Sequence, residues 1–123
     1  MHAWLVVAGV AAAAVCALHI FLGGPAAATP LLRAKDINNV ARYTNYYCWH
    51  MVTIVLASMA AAFLVAALSP PAIELAWAAT LLSAAFAIWS IGLVVWKKQK
   101  PLHLPQWLLF VVVTALGGMG LAT

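Results

Sequence analysis

Imidazole, phenol and guanidinium groups are scarce in this chain, and most of them fall in one stretch, Asp36–Thr53, DINNVARYTNYYCWHMVT. On a helix, at about 100° per residue, Asn39, Arg42, Tyr43, Tyr46, His50 and Thr53 lie within roughly 60° of one direction. They form a single polar stripe that leads to His50. Cys48 falls about 160° away from His50 on the same wheel, which disfavours a chelate from that pair. Two more imidazoles, His19 and His103, are placed to join His50, and Cys16 shares the face of His19. Two histidines can supply axial ligands to a b-type haem or a chlorin, and three can hold a transition metal such as zinc or copper. Imidazole, phenol and guanidinium together can instead hold the head group of an amphiphile.

Such groups need walls, and the rest of the chain supplies apolar ones. Of 123 residues 67% are hydrophobic and 7% charged, too greasy a composition for a soluble monomer. The chain reads as an integral membrane protein. A span needs roughly 20 apolar residues to cross ~30 Å of hydrocarbon, so four spans and short loops use up the length. The predicted fold is an all-α bundle of four transmembrane helices, antiparallel and up-down, in a single membrane domain covering residues 1–123. The spans fall at about 4–22, 46–68, 72–96 and 105–121. The segment before the first span, Met-His-Ala-Trp, lacks the positive charge of a secretory signal, so residue 1 onward is expected to be retained.

Gly23, Gly24 and Pro25 are expected to end the first span, with AAATPLLRAK as connector and Asp36 as the next N-cap. No Gly or Pro falls between Asp36 and Leu68, so a juxtamembrane helix over 36–45 runs on into the second span. At 1.5 Å per residue that helix is ~48 Å long and must protrude from the hydrocarbon. Ser69-Pro70-Pro71 predicts a tight turn, and Pro105 suits the first position of the last helix. Gly9, Ala13 and Ala17 in the first span, and Thr114, Gly117, Gly118 and Gly120 in the fourth, suggest close-packing faces.

The loops set the orientation. Arg33, Lys35 and Arg42 flank the first loop, and Lys97, Lys98 and Lys100 lie in the third, while the second carries no basic residue. The positive-inside rule puts loops one and three in the cytoplasm and both termini outside, in a bacterial inner membrane. His19, His50 and His103 then share one depth at the cytoplasmic end, and His2 lies at the opposite end.

Four readings of this constellation stand. The histidines fix helix register through interhelical hydrogen bonds. They bind a cofactor or metal through His19, His50 and His103, although Asp36 and Glu74 are the only acids and neither is a ready outer-shell partner. A quinone-like or anionic amphiphile binds at the rim, where Arg33, Lys35, Arg42 and the Lys97–Lys100 cluster attract head groups and Tyr43, Tyr46 and Trp49 stack or donate hydrogen bonds; whichever the ligand, cofactor, metal or amphiphile, His19 and His50 are the expected contacts, with Tyr46 orienting and Arg42 contributing charge. Or the chain is an accessory subunit of a larger membrane complex or a homo-oligomer, with lipid as its solvent. Nucleic acid is not an expected partner, because the basic residues are accounted for by topology. An enzyme with a nucleophile is poorly supported, since Ser58, Ser69, Ser83 and Ser90 lack a nearby acid and Cys48 lacks a base on its face.

A first span ending HIFLGG and a second opening YYCWHMVT resemble small bacterial inner-membrane proteins built from four helices, which carry a His-x-x-x-Gly at the first helix end and a Trp-His in the second. The resemblance covers the first half of the chain through His19, Gly23, Trp49 and His50. It implies no activity, and it points to His19 and His50 as the pair to test.

Overall fold

A computed structural model describes residues Met1–Thr123 and is all-helical. In order, α1 spans Ala3–Leu18, a π-helical segment spans His19–Ala28, and α2 spans Thr29–Arg33. After a short connector come α3, Asn39–Leu68, α4, Ile73–Trp96, and α5, Gln106–Ala122. The first three segments form one unbroken helical rod, Ala3–Arg33. That rod, α3 and the Pro70–Trp96 helix are each long and apolar enough to cross a membrane, whereas α5 has 17 residues and is shorter.

The first rod departs from the expected break at Gly23–Pro25. Proline removes one N–H and its ring collides with the carbonyl four residues back, which ends an ordinary α-helix. Here the chain widens into π-turns instead, so that the Thr29 N–H reaches the Gly24 carbonyl five residues back. Ala26, Ala27 and Ala28 favour helix strongly, and in an apolar solvent every unpaired backbone group is costly. Continuing the helix in a wider register is therefore cheaper than leaving it. Thr29 is helical despite preceding Pro30, because Pro30 falls in the first turn of α2.

The start of α3 also differs from expectation. Asp36 lies exposed in a bend, and Asn38 is the N-cap, its side-chain oxygen accepting from the Ala41 N–H at 2.8 Å. Asn and Asp cap equally well, so the choice depends on where the connector delivers the chain. From there α3 runs its full 30 residues, as the absence of Gly and Pro predicts, and a 3₁₀ turn at Pro70–Ala72 leads into α4. At the far end of α4, Lys98 takes the left-handed position at φ 50°, and the Gln99 and Lys98 N–H groups close onto the Val94 and Val95 carbonyls. Glycine usually fills this position in a helix C-cap.

α1 packs against α3 and α5, and α4 packs against α5 and α3. Along α1 and α3 the matching positions are His2 with Ala67, Gly9 with Leu64, Cys16 with Thr53 and His19 with Trp49. The close-packing face of α1 is Leu5, Ala8, Gly9, Ala12 and Val15. Ala13 and Ala17 are exposed, because a strict four-residue repeat turns about 40° per step and drifts off the contact. On α5, Gly117 sits beneath Thr80 and the Phe63 ring and Gly120 beneath Leu5, while Gly118 faces open space. Ser83, fully buried, donates to the Phe110 carbonyl at 3.0 Å and accepts from Thr114 at 3.1 Å, tying α4 to α5.

The packed core occupies only one end of the bundle. Thirteen buried residues form it, drawn from Leu5–Val15, Leu56–Ala67, Ala76–Ala79 and Val113. On α3 no residue before Leu56 is buried, and on α5 none before Val113. The other end, where the polar stripe lies, has gaps between its helices.

Candidate functional site

One of those gaps, bearing polar chemistry, runs between α3 and the π-helical segment with the start of α2. Its volume is about 470 Å³, with Ile20, Gly24, Pro25, Ala28, Thr29 and Leu32 on one wall and Tyr46, Trp49, His50 and Thr53 on the other. The four α3 positions are spaced three and four apart, so they share a face.

Trp49 is the keystone of that wall. Its ring stacks on His19 with centroids 3.8 Å apart and planes 20° from parallel. Its outer edge covers Gly23, where an added Cβ would come within 2.7 Å of Trp49 Cη2. The Trp49 carbonyl accepts from His19 Nε2 at 3.2 Å and from Thr53 Oγ1 at 3.2 Å. A carbonyl can only accept, so this contact assigns the His19 proton to Nε2. Tyr46 meets His50 edge to face at 4.6 Å. The His50 ring, the Tyr46 hydroxyl and the Trp49 indole N–H have no hydrogen-bond partner within the chain, and all three residues border the groove.

The sequence-level site residues therefore divide. Tyr46 and His50 line the groove, and His19 supports it from behind through Trp49. Tyr43 is exposed on another face, in a depression of about 420 Å³ with Asn39, Val40, Thr44 and Tyr47. The π-helical rod packs beside only part of the polar stripe, so the stripe is split between two surfaces. Arg42 is spent on structure: it donates to the Ala34 carbonyl, to the Ile37 carbonyl at 3.2 Å and to Asn39 Oδ1 at 3.0 Å, clamping the connector to the first turn of α3. His103 is exposed in the turn before α5.

No three His, Cys, Asp or Glu side chains converge to hold a metal ion, so His19, His50 and His103 do not form the metal centre their common depth suggests. On His19, Nε2 is held by a backbone carbonyl and one ring face is covered by indole, which leaves Nδ1 as its unengaged nitrogen. Cys48 is exposed and apart from the groove, as its wheel position predicts.

A second gap at the same end is apolar, about 340 Å³, and lies among Val52, Phe86, Trp89, Leu93, Leu104 and Phe110, with Ser90 and Gln106 as its polar members.

Sequence reasoning did not place Gly23 and Trp49 in contact. Their signal was the paired His-x-x-x-Gly and Trp-His spacing, which carries no geometry until the π-helical segment is seen.

Arg42 gives a direct check on the connector clamp. Arg42→Ala is expected to lower stability by about 1.5–3 kcal/mol, the range for hydrogen bonds to a charged group. Arg42→Lys should restore little, because one ammonium cannot reproduce the guanidinium fork. Thermal unfolding in detergent measures both.

Compared with protein-family models, with curated proteins and with solved structures, the chain finds no match.

Proposed function

We propose that this chain is a small integral membrane protein that binds an amphiphile from the bilayer in the groove between the π-helical segment and α3. The observation that carries the reading is the division of that groove into an apolar wall from Ile20 to Leu32 and a wall bearing Tyr46, Trp49 and His50. An amphiphile has the same division. The bundle interior is packed away from this end, which leaves the groove open to a ligand at little packing cost.

In this reading the four helices are antiparallel and up-down, α5 is a fourth and short span, and α3 extends into the cytoplasm. The pairing of His2 with Ala67 at one end and His19 with Trp49 at the other supports the first of these. Arg33, Lys35, Lys97, Lys98 and Lys100 support a cytoplasmic position for both loops and external termini, in a bacterial inner membrane. A Gln99→Cys variant in sealed right-side-out vesicles should resist a membrane-impermeant maleimide until the vesicles are opened; Cys48 is replaced by Ser in the same protein. Immediate labelling in sealed vesicles would reverse the orientation.

Gly24 supplies the functional test. An added Cβ there meets nothing within 4 Å, although the residue lines the groove. Gly24→Leu should therefore project a side chain into the groove, although Pro25 disfavours helical backbone at a preceding residue that carries a Cβ, so a modest loss of stability is expected with it. Native mass spectrometry of the gently purified protein is expected to show an adduct of amphiphile mass on the wild type and its loss from Gly24→Leu, compared at a temperature at which both proteins are folded by circular dichroism. Identical spectra from the two proteins would contradict the proposal.

A second reading is favoured by the outer face of α4, where Trp77, Leu81 and Ile88 share one direction and are all more than half exposed. A partner helix, from a copy of this chain or another subunit, would cover that face. Migration at several times the monomer mass on a native gel, abolished by Ile88→Ala, supports this reading.

A further inference from the structure

We propose that the groove selects a neutral ring carrying carbonyl acceptors and an apolar tail, the chemistry of an isoprenoid quinone. The inference rests on the reading of the groove as an amphiphile site and names the class of amphiphile.

Charge is the first discriminator. The groove lining contains no Lys, Arg, Asp or Glu. Arg42 turns its terminal guanidinium nitrogens to the Ala34 and Ile37 carbonyls, its buried Nε having no partner, and Arg33, which follows Leu32 on α2, is not among the lining residues. A phosphate or carboxylate drawn into this groove would leave water without gaining a cation, and burying an unpaired charge is strongly unfavourable. A neutral head group avoids that cost.

Hydrogen bonding is the second. The Trp49 indole N–H can only donate, and the Tyr46 hydroxyl and the His50 ring can also donate; none of the three has a partner in the chain. The acceptor in the middle of the same wall, the Trp49 carbonyl, is already used by His19 and Thr53. The indole is the one group of fixed role, and the hydroxyl and imidazole can each donate beside it, so a ligand that brings acceptors can be met by all three. Ring carbonyls do so while remaining neutral.

Shape is the third. Trp49 is held rigid by the His19 stack at 3.8 Å and by its seat on Gly23, which gives a flat ring a preformed aromatic surface. Tyr46 stands nearly perpendicular to His50, at 87°. The opposite wall of Ile20, Pro25, Ala28 and Leu32 is apolar apart from Thr29, and suits the tail. A volume of about 470 Å³ is within the usual range for one small ligand.

The test uses the full chain in phosphatidylcholine nanodiscs, titrated calorimetrically with decylubiquinone. Saturable binding is expected, weakened about tenfold by Tyr46→Phe and about tenfold by His50→Leu, since one lost hydrogen bond of this kind is close to a factor of ten. Tyr46→Phe keeps the ring and its edge contact, so its effect isolates the hydroxyl. Decanol should not displace the quinone, and replacing part of the lipid with phosphatidylglycerol should not compete. If decanol displaces decylubiquinone at equal concentration and both variants bind as the wild type does, the quinone inference is overturned and the groove remains an amphiphile site. If phosphatidylglycerol competes, the charge argument is wrong. If wild type and Gly24→Leu are alike in taking up neither probe saturably, the groove reading falls with it.

Discussion

Trp49→Ala is expected to cost about 3–5 kcal/mol of stability and to abolish ligand binding at the groove. Three losses combine. The indole leaves a cavity between the π-helical segment and α3, His19 loses its stacking partner at 3.8 Å, and Gly23 loses the ring edge that covers it. The size of the effect separates this tryptophan from the others. Trp77 and Trp89 are 53% and 65% exposed, so Trp77→Ala and Trp89→Ala should stay within about 0.5 kcal/mol in the isolated monomer. Gly23→Ala tests the same contact from the other side, because its Cβ would overlap Trp49 and force the ring off His19. Combining Gly23→Ala with Trp49→Phe should cost less than the two changes added, as residues in direct contact do. Unfolding in mixed detergent, followed by circular dichroism, measures all of these.

Phe63→Ala is expected to cost a further large amount, about 3–5 kcal/mol, at the opposite end of the bundle and without changing affinity at the groove. Phe63 is fully buried, and its ring lies over Gly117, where an added Cβ would be 3.0 Å from Cε1 and Cζ. Three helices meet at that ring: α3 supplies it, α5 supplies the glycine beneath it, and Thr80 of α4 closes the contact. Interhelical packing carries association in lipid, where burial of apolar surface adds little, so loss of a ring at a three-helix junction is felt in full. Retained ligand affinity in a destabilised Phe63→Ala protein would show that core and groove are independent. An equal loss of affinity would show that the groove depends on the whole bundle.

Much of the helical architecture could be read from residue types. The long α3 follows from thirty residues without Gly or Pro, and the turn into α4 from Ser69-Pro70-Pro71. The membrane character follows from composition, and Gly117 as a packing residue from the small-residue cluster. What could not be read depends on tertiary context. Gly23-Gly24-Pro25 looks like a stop, but an apolar environment penalises an open backbone more than a π-turn, so the rod continues to Arg33. That continuation places Ile20, Pro25, Ala28 and Leu32 opposite α3 and creates the groove. The wheel of α3 correctly separates Cys48 from His50, yet it cannot say which part of a polar stripe meets another helix. Tyr43 was lost to an outer face and Arg42 to the connector carbonyls for that reason. His19 and His50 are expected at one depth, and their rings engage Trp49 and Tyr46, with no group of three metal-ligating side chains around them.

Photo-cross-linking with a quinone that carries a diazirine at its tail is the most direct measurement of the central claim. Peptide mapping should find the label concentrated on residues 20–32, the apolar wall of the groove, and strongly reduced there in Gly24→Leu. Label distributed evenly over the lipid-exposed faces of α4 and α5, and unchanged by Gly24→Leu, would contradict it.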